Sequence, residues 1–257
     1  IEDTPMKNFR RAMRMDRCRC LHSPLFYLSI VLLWGVWFAD QFQDLMLPAG
    51  SIPVLFYFRW RQSSQLVAAV PFATSFCEDY RNRFLWYSVQ RTNIRAYAWS
   101  KVCSTMLYTF LANLLATLSF VVVLLLRSPL LGNGENVVAI AGIAPYGSLL
   151  LGESPFLFFV CVAVCESLFM GLLATVALTI SCILPDYFVT LTTPIICYYI
   201  IIHAIPVGTF SPYRIFMTHS IDMGGPWLSL LYAIGYAMVG MLITGCLFSR
   251  LVRRRII

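Results

Sequence analysis

The sequence predicts an all-α integral membrane protein with six transmembrane helices and with both termini in the cytoplasm. The chain is 59% hydrophobic and only 12% charged, whereas a soluble domain is about 25% charged. Several apolar runs approach the roughly 20 residues that a membrane-spanning helix needs, and basic residues gather between alternate runs. This composition excludes an ordinary water-soluble protein, and we interpret residues 1–257 as a single transmembrane domain.

Five of the predicted spans are clear from their apolar runs. They cover roughly residues 24–39, 102–126, 155–184, 187–205 and 227–249. The remaining span, the second in chain order, is residues 66–76 (LVAAVPFATSF), which is short and contains Pro71. By its length alone, this segment could instead be re-entrant or a core helix.

The distribution of basic residues favours a span at residues 66–76. With six spans, 15 Lys and Arg residues lie on the side of the termini and 4 lie outside. Without the second span the split becomes 8 inside and 11 outside, which violates the positive-inside rule. The six-span arrangement places residues 77–101 in the cytoplasm. It also defines three outer connections, which are residues 40–62, 127–153 and 206–226.

The N-terminal segment 6–20 (MKNFRRAMRMDRCRC) is predicted to be an amphipathic helix on the inner leaflet. Its apolar face would comprise Met6, Phe9, Met13 and Cys20. The basic residues at the leaflet would include Lys7, Arg10, Arg11 and Arg14. A simple basic tail that sets topology remains an equal alternative. Residues 1–5 precede Met6, a natural-looking start, and are interpreted as a candidate expression remnant.

The nine cysteines predict neither disulfides nor a metal site. No Cys-x-x-Cys pair occurs, and no Cys and His residues have zinc-site spacing. We therefore expect no cofactor or metal on this chain. The net charge of +7 could suggest nucleic acid as a partner. Because the charges lie beside apolar spans, we attribute them to membrane topology and expect no nucleic-acid binding.

Residues 77–101 (CEDYRNRFLWYSVQRTNIRAYAWSK) are predicted to form a helix, a turn and a second helix. In a first helix from Glu78 to Gln90, the side chains of Tyr80, Phe84 and Tyr87 would share one face. Thr92 or Asn93 would cap the second helix, which continues into the third span. These mixed charges and aromatic residues are typical of an interface with a protein partner rather than of a lipid anchor.

Residues 70–101 (VPFATSFCEDYRNRFLWYSVQRTNIRAYAWSK) resemble the second-span and coupling-helix region of type-2 ABC exporter permeases. The matching positions are Phe76, Glu78, Asp79, Arg91, Tyr97, Ser100 and Lys101. The six-span layout, the amphipathic N-terminal helix and the basic C-terminus agree with the same family. In one departure, many members carry Gly after the acidic pair, where this chain has Arg83.

The resemblance implies that the coupling helix docks onto a separate ATP-binding subunit, so that ATP closes two permease subunits against each other. The expected docking contacts are Glu78, Asp79, Tyr80, Arg81 and Arg83, with Asp186 as a minor one. The alternative is that these charges are simply solvated. The sequence contains no G-x-x-x-x-G-K-[ST] motif. We therefore expect a transport subunit that is not itself an enzyme, with ATP and Mg²⁺ bound by the partner.

The remaining expectations concern partners, location and the transport path. A second permease chain, identical or similar, and membrane lipid are expected partners, in a bacterial cell membrane. Glu166 is the one acid clearly inside a predicted span, and an intramembrane carboxylate usually faces protein or water. It is interpreted either as a transport-path or interface group, or as a packing residue satisfied by Asn113 or a hydroxyl. The alternative function is a stand-alone channel or sensor.

Overall fold

The computed structural model describes residues 5–41, 63–127, 146–151, 155–204, 211–216 and 225–256. These residues are largely helical and contain no strand. A 3₁₀ helix covers Ser63–Val67. The α-helices are α1 (Pro5–His22), α2 (Pro24–Gln41), α3 (Ser75–Arg81), α4 (Phe84–Thr92), α5 (Ile94–Arg127), α6 (Gly147–Leu151), α7 (Pro155–Ile183), α8 (Tyr187–Ala204), α9 (Pro212–Phe216) and α10 (Pro226–Ile256).

Four helices in this part of the chain, α5, α7, α8 and α10, are long and apolar enough to cross a membrane. Helices α1 and α2 meet at 54° and together qualify as a fifth, bent span. The described residues therefore have the character of a multi-pass transmembrane protein with four or five candidate spans. The six predicted spans and the position of the termini are not confirmed.

Helix α7 lies at the centre of the bundle, in contact with α5, α8 and α10. About 67% of the most apolar 18-residue stretch of α7 is buried inside the protein, against 22% for the corresponding stretches of α8 and α10. Gly171 allows close approach to α5, because a Cβ atom there would lie 3.1 Å from the backbone carbonyl oxygen of Met106 and 2.7 Å from its sulfur. Small residues let membrane helices pack closely in this way.

The predicted second span, residues 66–76, is not a single membrane-spanning helix. Its chain passes from the 3₁₀ helix through a series of turns to Thr74, and α3 begins at Ser75. Pro71 accounts for much of this irregularity, because proline has no backbone N–H and its ring clashes with the preceding helical turn. The carbonyl of Pro71 accepts a weak hydrogen bond from the thiol of Cys20 on α1.

This irregular segment is enclosed by protein. The hydroxyl of Ser64 lies 3.2 Å from a carboxylate oxygen of Glu166, which places the segment beside the middle of α7. Farther along, Ala69 and Ala73 pack against Ala174 and Ala177. Non-helical backbone at membrane depth is tolerated only where protein or a water-filled cavity surrounds it. Burial against α7 therefore explains how this part of the chain departs from a regular helix.

One end of the bundle carries most of the charged residues that the structure describes, and we call it the charged end. Helices α5 and α8 begin there, and α7 and α10 end there. The guanidinium of Arg255, on α10, links this helix to α7 and α3, since it contacts the carbonyl of Ile183 and the hydroxyl of Tyr80. Residues 1–4 and most of the three predicted outer connections lie outside the described residues.

The helix predicted from Glu78 to Gln90 is broken in the middle. Helix α3 ends at Arg81 and α4 begins at Phe84, with Arg83 in the left-handed region at φ 56° and ψ 17°. Glycine adopts this conformation without steric cost, whereas a residue with a Cβ atom does not. Arg83 is also the position at which the resemblance leads one to expect glycine, so the backbone there has the shape that glycine favours.

We expect Arg83→Gly to stabilise the fold slightly and Arg83→Val to destabilise it. The glycine variant relieves left-handed strain of about 1 kcal/mol, partly offset by greater freedom of the unfolded chain. A β-branched residue is far less tolerant of positive φ. Melting temperatures of the two variants in detergent would measure the difference. Equal melting temperatures would show that residue 83 is not held in this conformation.

Candidate functional site

Three separate helices bring charged side chains together in a buried cluster at the charged end. We call it the buried charge cluster: it comprises Asp16, Arg19, Asp79, Tyr97, Ser100 and Lys101. Its centre is the ammonium of Lys101, which lies 3.1 Å from Asp16 Oδ1 and 3.0 Å from Asp79 Oδ2. The Lys101 and Asp79 side chains are each only 1% exposed.

Asp79 is the most heavily coordinated member of the cluster. Its Oδ1 atom lies 2.7 Å from Nη1 of Arg19, and its Oδ2 atom accepts a 2.8 Å hydrogen bond from the Tyr97 hydroxyl. Burial alone would raise the pKa of this carboxyl group, but Lys101 and Arg19 together lower the pKa below its ordinary value of 3.8. Asp79 is therefore a charged carboxylate at neutral pH, held inside the protein.

The second carboxylate of the cluster is supplied by α1. Ala12, Asp16 and Cys20 are buried at successive i, i+4 positions, so they form the inward face of this helix. Asp16 also accepts a 3.0 Å hydrogen bond from the Ser100 hydroxyl. The two buried carboxylates face one buried cation, Lys101, and one partly exposed cation, Arg19, so each buried charge has a partner of opposite sign, as charges in a protein interior require.

Aromatic rings surround the two cations. The Lys101 ammonium lies 5.0 Å from the centre of the Phe72 ring, and the Arg19 guanidinium lies 5.6 Å from that of Phe84. Such cation–π contacts add to the electrostatic stabilisation of the two cations. A cavity of about 310 Å³ adjoins the cluster between α1, α4 and α5, and Met15 and Ser88 contribute to its wall.

An exposed surface lies on the other side of α3 and α4. We call it the docking surface: it comprises Tyr80, Arg81, Arg83, Trp86 and Tyr87, which are all exposed. Tyr87 is 64% exposed and Trp86 is 48% exposed. Large aromatic side chains and arginines are the residues enriched in protein–protein interfaces. The docking surface is therefore suited to contact with another protein.

The structure separates the two adjacent acids that the sequence grouped as docking contacts. Glu78 is partly exposed and lies 3.5 Å from Arg19, at the solvent-facing edge of the buried charge cluster. Asp79 points into the protein and is engaged by the buried charge cluster. Asp186 is exposed, and its carboxylate accepts hydrogen bonds from the backbone N–H groups of Phe188 and Val189 at the start of α8. Asp186 thus has a capping role.

The predicted leaflet residues of α1 are exposed, whereas the predicted apolar face is shifted. Lys7, Arg10, Arg11 and Arg14 all lie on the exposed side. Met6 is exposed, and Phe9 and Met13 are only partly buried. Cys20, the fourth predicted apolar residue, is buried, and the inward face follows Ala12, Asp16 and Cys20 because α1 packs against α5 and α4.

The predicted intramembrane pair is not brought together by a direct bond in the described residues. Glu166 is 5% exposed and accepts a hydrogen bond from the hydroxyl of Ser64. Asn113 instead donates a 3.0 Å hydrogen bond to Ser167, one residue farther along α7. A hydroxyl on a neighbouring segment was one of the two partners expected for this carboxylate.

Sequence reasoning missed two residues of the buried charge cluster, Asp16 and Arg19, and Asp16 was the more recognisable of them. It is the one acid among six basic residues in segment 6–20, and that isolation was a usable signal. The part of the chain that the structure describes has no group of three or more His, Cys, Asp or Glu residues that could hold a metal ion.

Comparisons with family models, with curated proteins and with solved structures find no match to this chain. The resemblance described above therefore rests on the residues quoted for it.

Proposed function

We propose that this chain is the membrane-spanning permease subunit of an ATP-binding cassette exporter. Its substrate would be amphipathic, such as a peptide, an antibiotic or a lipid. One observation carries the proposal: five of the seven positions that match the family occur together in or beside the buried charge cluster, directly behind an exposed docking surface. These five are Glu78, Asp79, Tyr97, Ser100 and Lys101.

The buried charge cluster supports a mechanical role for α3 and α4. Asp79 on α3 is joined to Lys101 on α5, and Lys101 is joined to Asp16 on α1. Phe76 adds an edge-to-face contact with Phe248 of α10, with ring centres 5.6 Å apart. A force applied to α3 and α4 would therefore reach three long helices through short, buried contacts, as coupling to an external motor requires.

The docking surface supports a protein partner on the same side. Its arginines and aromatic residues lie on a short helical hairpin at the charged end of the bundle. By the positive-inside rule, this end would face the cytoplasm, where an ATP-binding subunit would be located. In the proposed complex, that subunit binds ATP and Mg²⁺, and a second permease chain completes the transport path. The complex would reside in a bacterial cell membrane.

The docking surface is tested by co-purification from native membranes. We expect an ATP-binding cassette ATPase, identified by the phosphate-binding loop in its peptides, to follow the tagged wild-type chain. Arg81→Glu and Tyr87→Ala should each reduce its recovery about tenfold, since they remove central arginine and aromatic anchors. Arg254→Glu is the matched control, because Arg254 is exposed on α10 at the same end and lies outside the docking surface.

Two results would contradict the proposal. One is a purified chain that conducts ions or responds to a ligand with no ATPase bound, which would favour a stand-alone channel or sensor. The other is an equal loss of the ATPase in all three variants, because that would show that the loss is not confined to the docking surface.

A further inference from the structure

A basic pocket lies between the start of α5 and the end of α10. We call it the arginine pocket; its volume is about 510 Å³, and it is lined by Asn93, Ile94, Arg95, Ser249, Arg250 and Arg253. All three arginines are exposed, and no acidic residue lines the pocket. None of them forms an ion pair with another residue in the described part of the chain. The pocket therefore has three uncompensated positive charges.

The backbone adds to this positive potential. The pocket includes the first residues of α5, Ile94 and Arg95, whose N–H groups have no acceptor within the helix. The helix dipole has its positive end at the same place. Arginine side chains together with first-turn amides form a site that suits a phosphate group.

An apolar groove continues directly from the arginine pocket. Its volume is about 410 Å³, and it shares Asn93 and Arg95 with the pocket. The groove runs past Phe9, Ala96, Trp99 and Cys103, along the i, i+4 face of α5. A ligand occupying both spaces would have an anionic group at one end and an apolar chain at the other.

Trp99, a residue of α5, forms one wall of the groove, and its ring packs against α10. A Cβ atom at Gly245 would lie 2.6 Å from the Trp99 ring, so the ring packs against the backbone of α10 where no side chain intervenes. Tryptophan at this depth is also typical of the border between lipid chains and headgroups.

The arginine pocket lies where α10 leaves its apolar stretch. Leu242, Ile243 and Leu247 are exposed on this helix, and Arg250 and Arg253 follow them within two turns. Exposed aliphatic residues followed by arginines mark the level at which lipid headgroups meet a membrane protein. By this pattern, the pocket is expected at the level of the lipid phosphates.

We propose that the arginine pocket and the adjoining groove bind one anionic phospholipid of the surrounding membrane. The phosphate and its charged headgroup occupy the arginine pocket, and one acyl chain follows the groove past Trp99. The positive charge of the arginine pocket favours an anionic headgroup. Because the pocket and the groove share Asn93 and Arg95, they adjoin each other and fit one ligand in which an anionic group is joined to an apolar chain. This inference does not depend on an ATPase partner.

Binding is tested with the full chain in phosphatidylcholine nanodiscs, titrated with phosphatidylglycerol and followed by native mass spectrometry. We expect saturable binding of phosphatidylglycerol. Arg95→Gln and Arg253→Gln should each weaken binding about fivefold, the effect of one basic residue on an anionic lipid. Arg254→Gln, which removes the same charge from the same helix outside the pocket, should leave binding unchanged. A loss of equal size in Arg254→Gln would overturn the proposal.

The groove is tested separately by tryptophan fluorescence. Phosphatidylglycerol with brominated acyl chains should quench wild-type emission, and the part of the quenching that saturates with the bound lipid should be lost in Trp99→Phe while lipid binding persists; lipid-exposed Trp227 supplies a non-saturating background in both proteins. Quenching that is unchanged in Trp99→Phe would overturn the placement of the acyl chain.

Full competition by glycerol phosphate would assign the pocket to a soluble phosphate instead. A change of oligomeric state in Arg253→Gln, with no change in lipid binding, would assign it to a second copy.

Discussion

Replacing Lys101 with methionine is expected to destabilise the fold by about 3–5 kcal/mol, the cost of removing one partner from a buried ion pair. The ammonium of Lys101 lies between Asp16 and Asp79, and all three side chains are almost fully buried. Without the ammonium, Asp16 loses its paired cation, and Asp79 keeps Arg19 as its one remaining cationic partner. The free energy of unfolding in mixed detergent micelles, with the folded yield from membranes, measures the effect.

A second substitution distinguishes buried charge from lost packing. Asp16→Asn removes the carboxylate that Lys101→Met leaves unpaired, so the double variant should recover more than half of the lost stability. Lys7→Met is the control, because Lys7 is an exposed lysine of α1 and should change stability by less than about 0.5 kcal/mol. If Lys101→Met were as mild as Lys7→Met, the buried charge cluster would not exist as described.

Gly245→Leu is expected to separate α10 from α5 and to destabilise the protein by about 1–3 kcal/mol, the usual cost of overpacking. The cause is steric: even a single Cβ atom at residue 245 would lie 2.6 Å from the Trp99 ring, closer than two carbon atoms can pack. The melting temperature in detergent should fall, and Trp99 emission should shift as the indole is displaced.

The control is a second glycine on the same helix. A Cβ atom at Gly235 would meet no heavy atom within 4 Å, so Gly235→Leu should be neutral or slightly stabilising because leucine favours helix. Equal destabilisation by both variants would show that glycine content, rather than contact with Trp99, governs this helix.

The helical character and the long apolar spans could be predicted from composition and run length, because a bilayer imposes both on the chain. The start of α5 at Ile94 agrees with the turn predicted at Thr92 or Asn93. The form of residues 66–76 could not be predicted. It depends on Pro71 together with packing of Ala69 and Ala73 against α7, and a run length contains no information about such contacts.

The candidate site could be predicted in its location but not in the roles of its residues. Glu78 and Asp79 are adjacent and chemically similar, yet one borders solvent and the other lies in a buried cluster. Successive residues on a helix point about 100° apart, so the tertiary contacts of α3 decide which one is buried, here the side-chain contacts of Asp79 with α1 and α5. Asp16 could be recognised as unusual in its basic segment, but its partner Lys101 is 85 positions away.

Cross-linking from the docking surface tests the proposed function most directly. A photoreactive benzoylphenylalanine at Tyr87, 64% exposed on α4, should capture an ATP-binding cassette ATPase in native membranes. The same group at Tyr27, 55% exposed on α2, should not. Capture of the ATPase from position 87 alone is the result that we predict. Capture of lipid or of a second copy from position 87, with no ATPase at any exposed position of α3 or α4, would contradict the account.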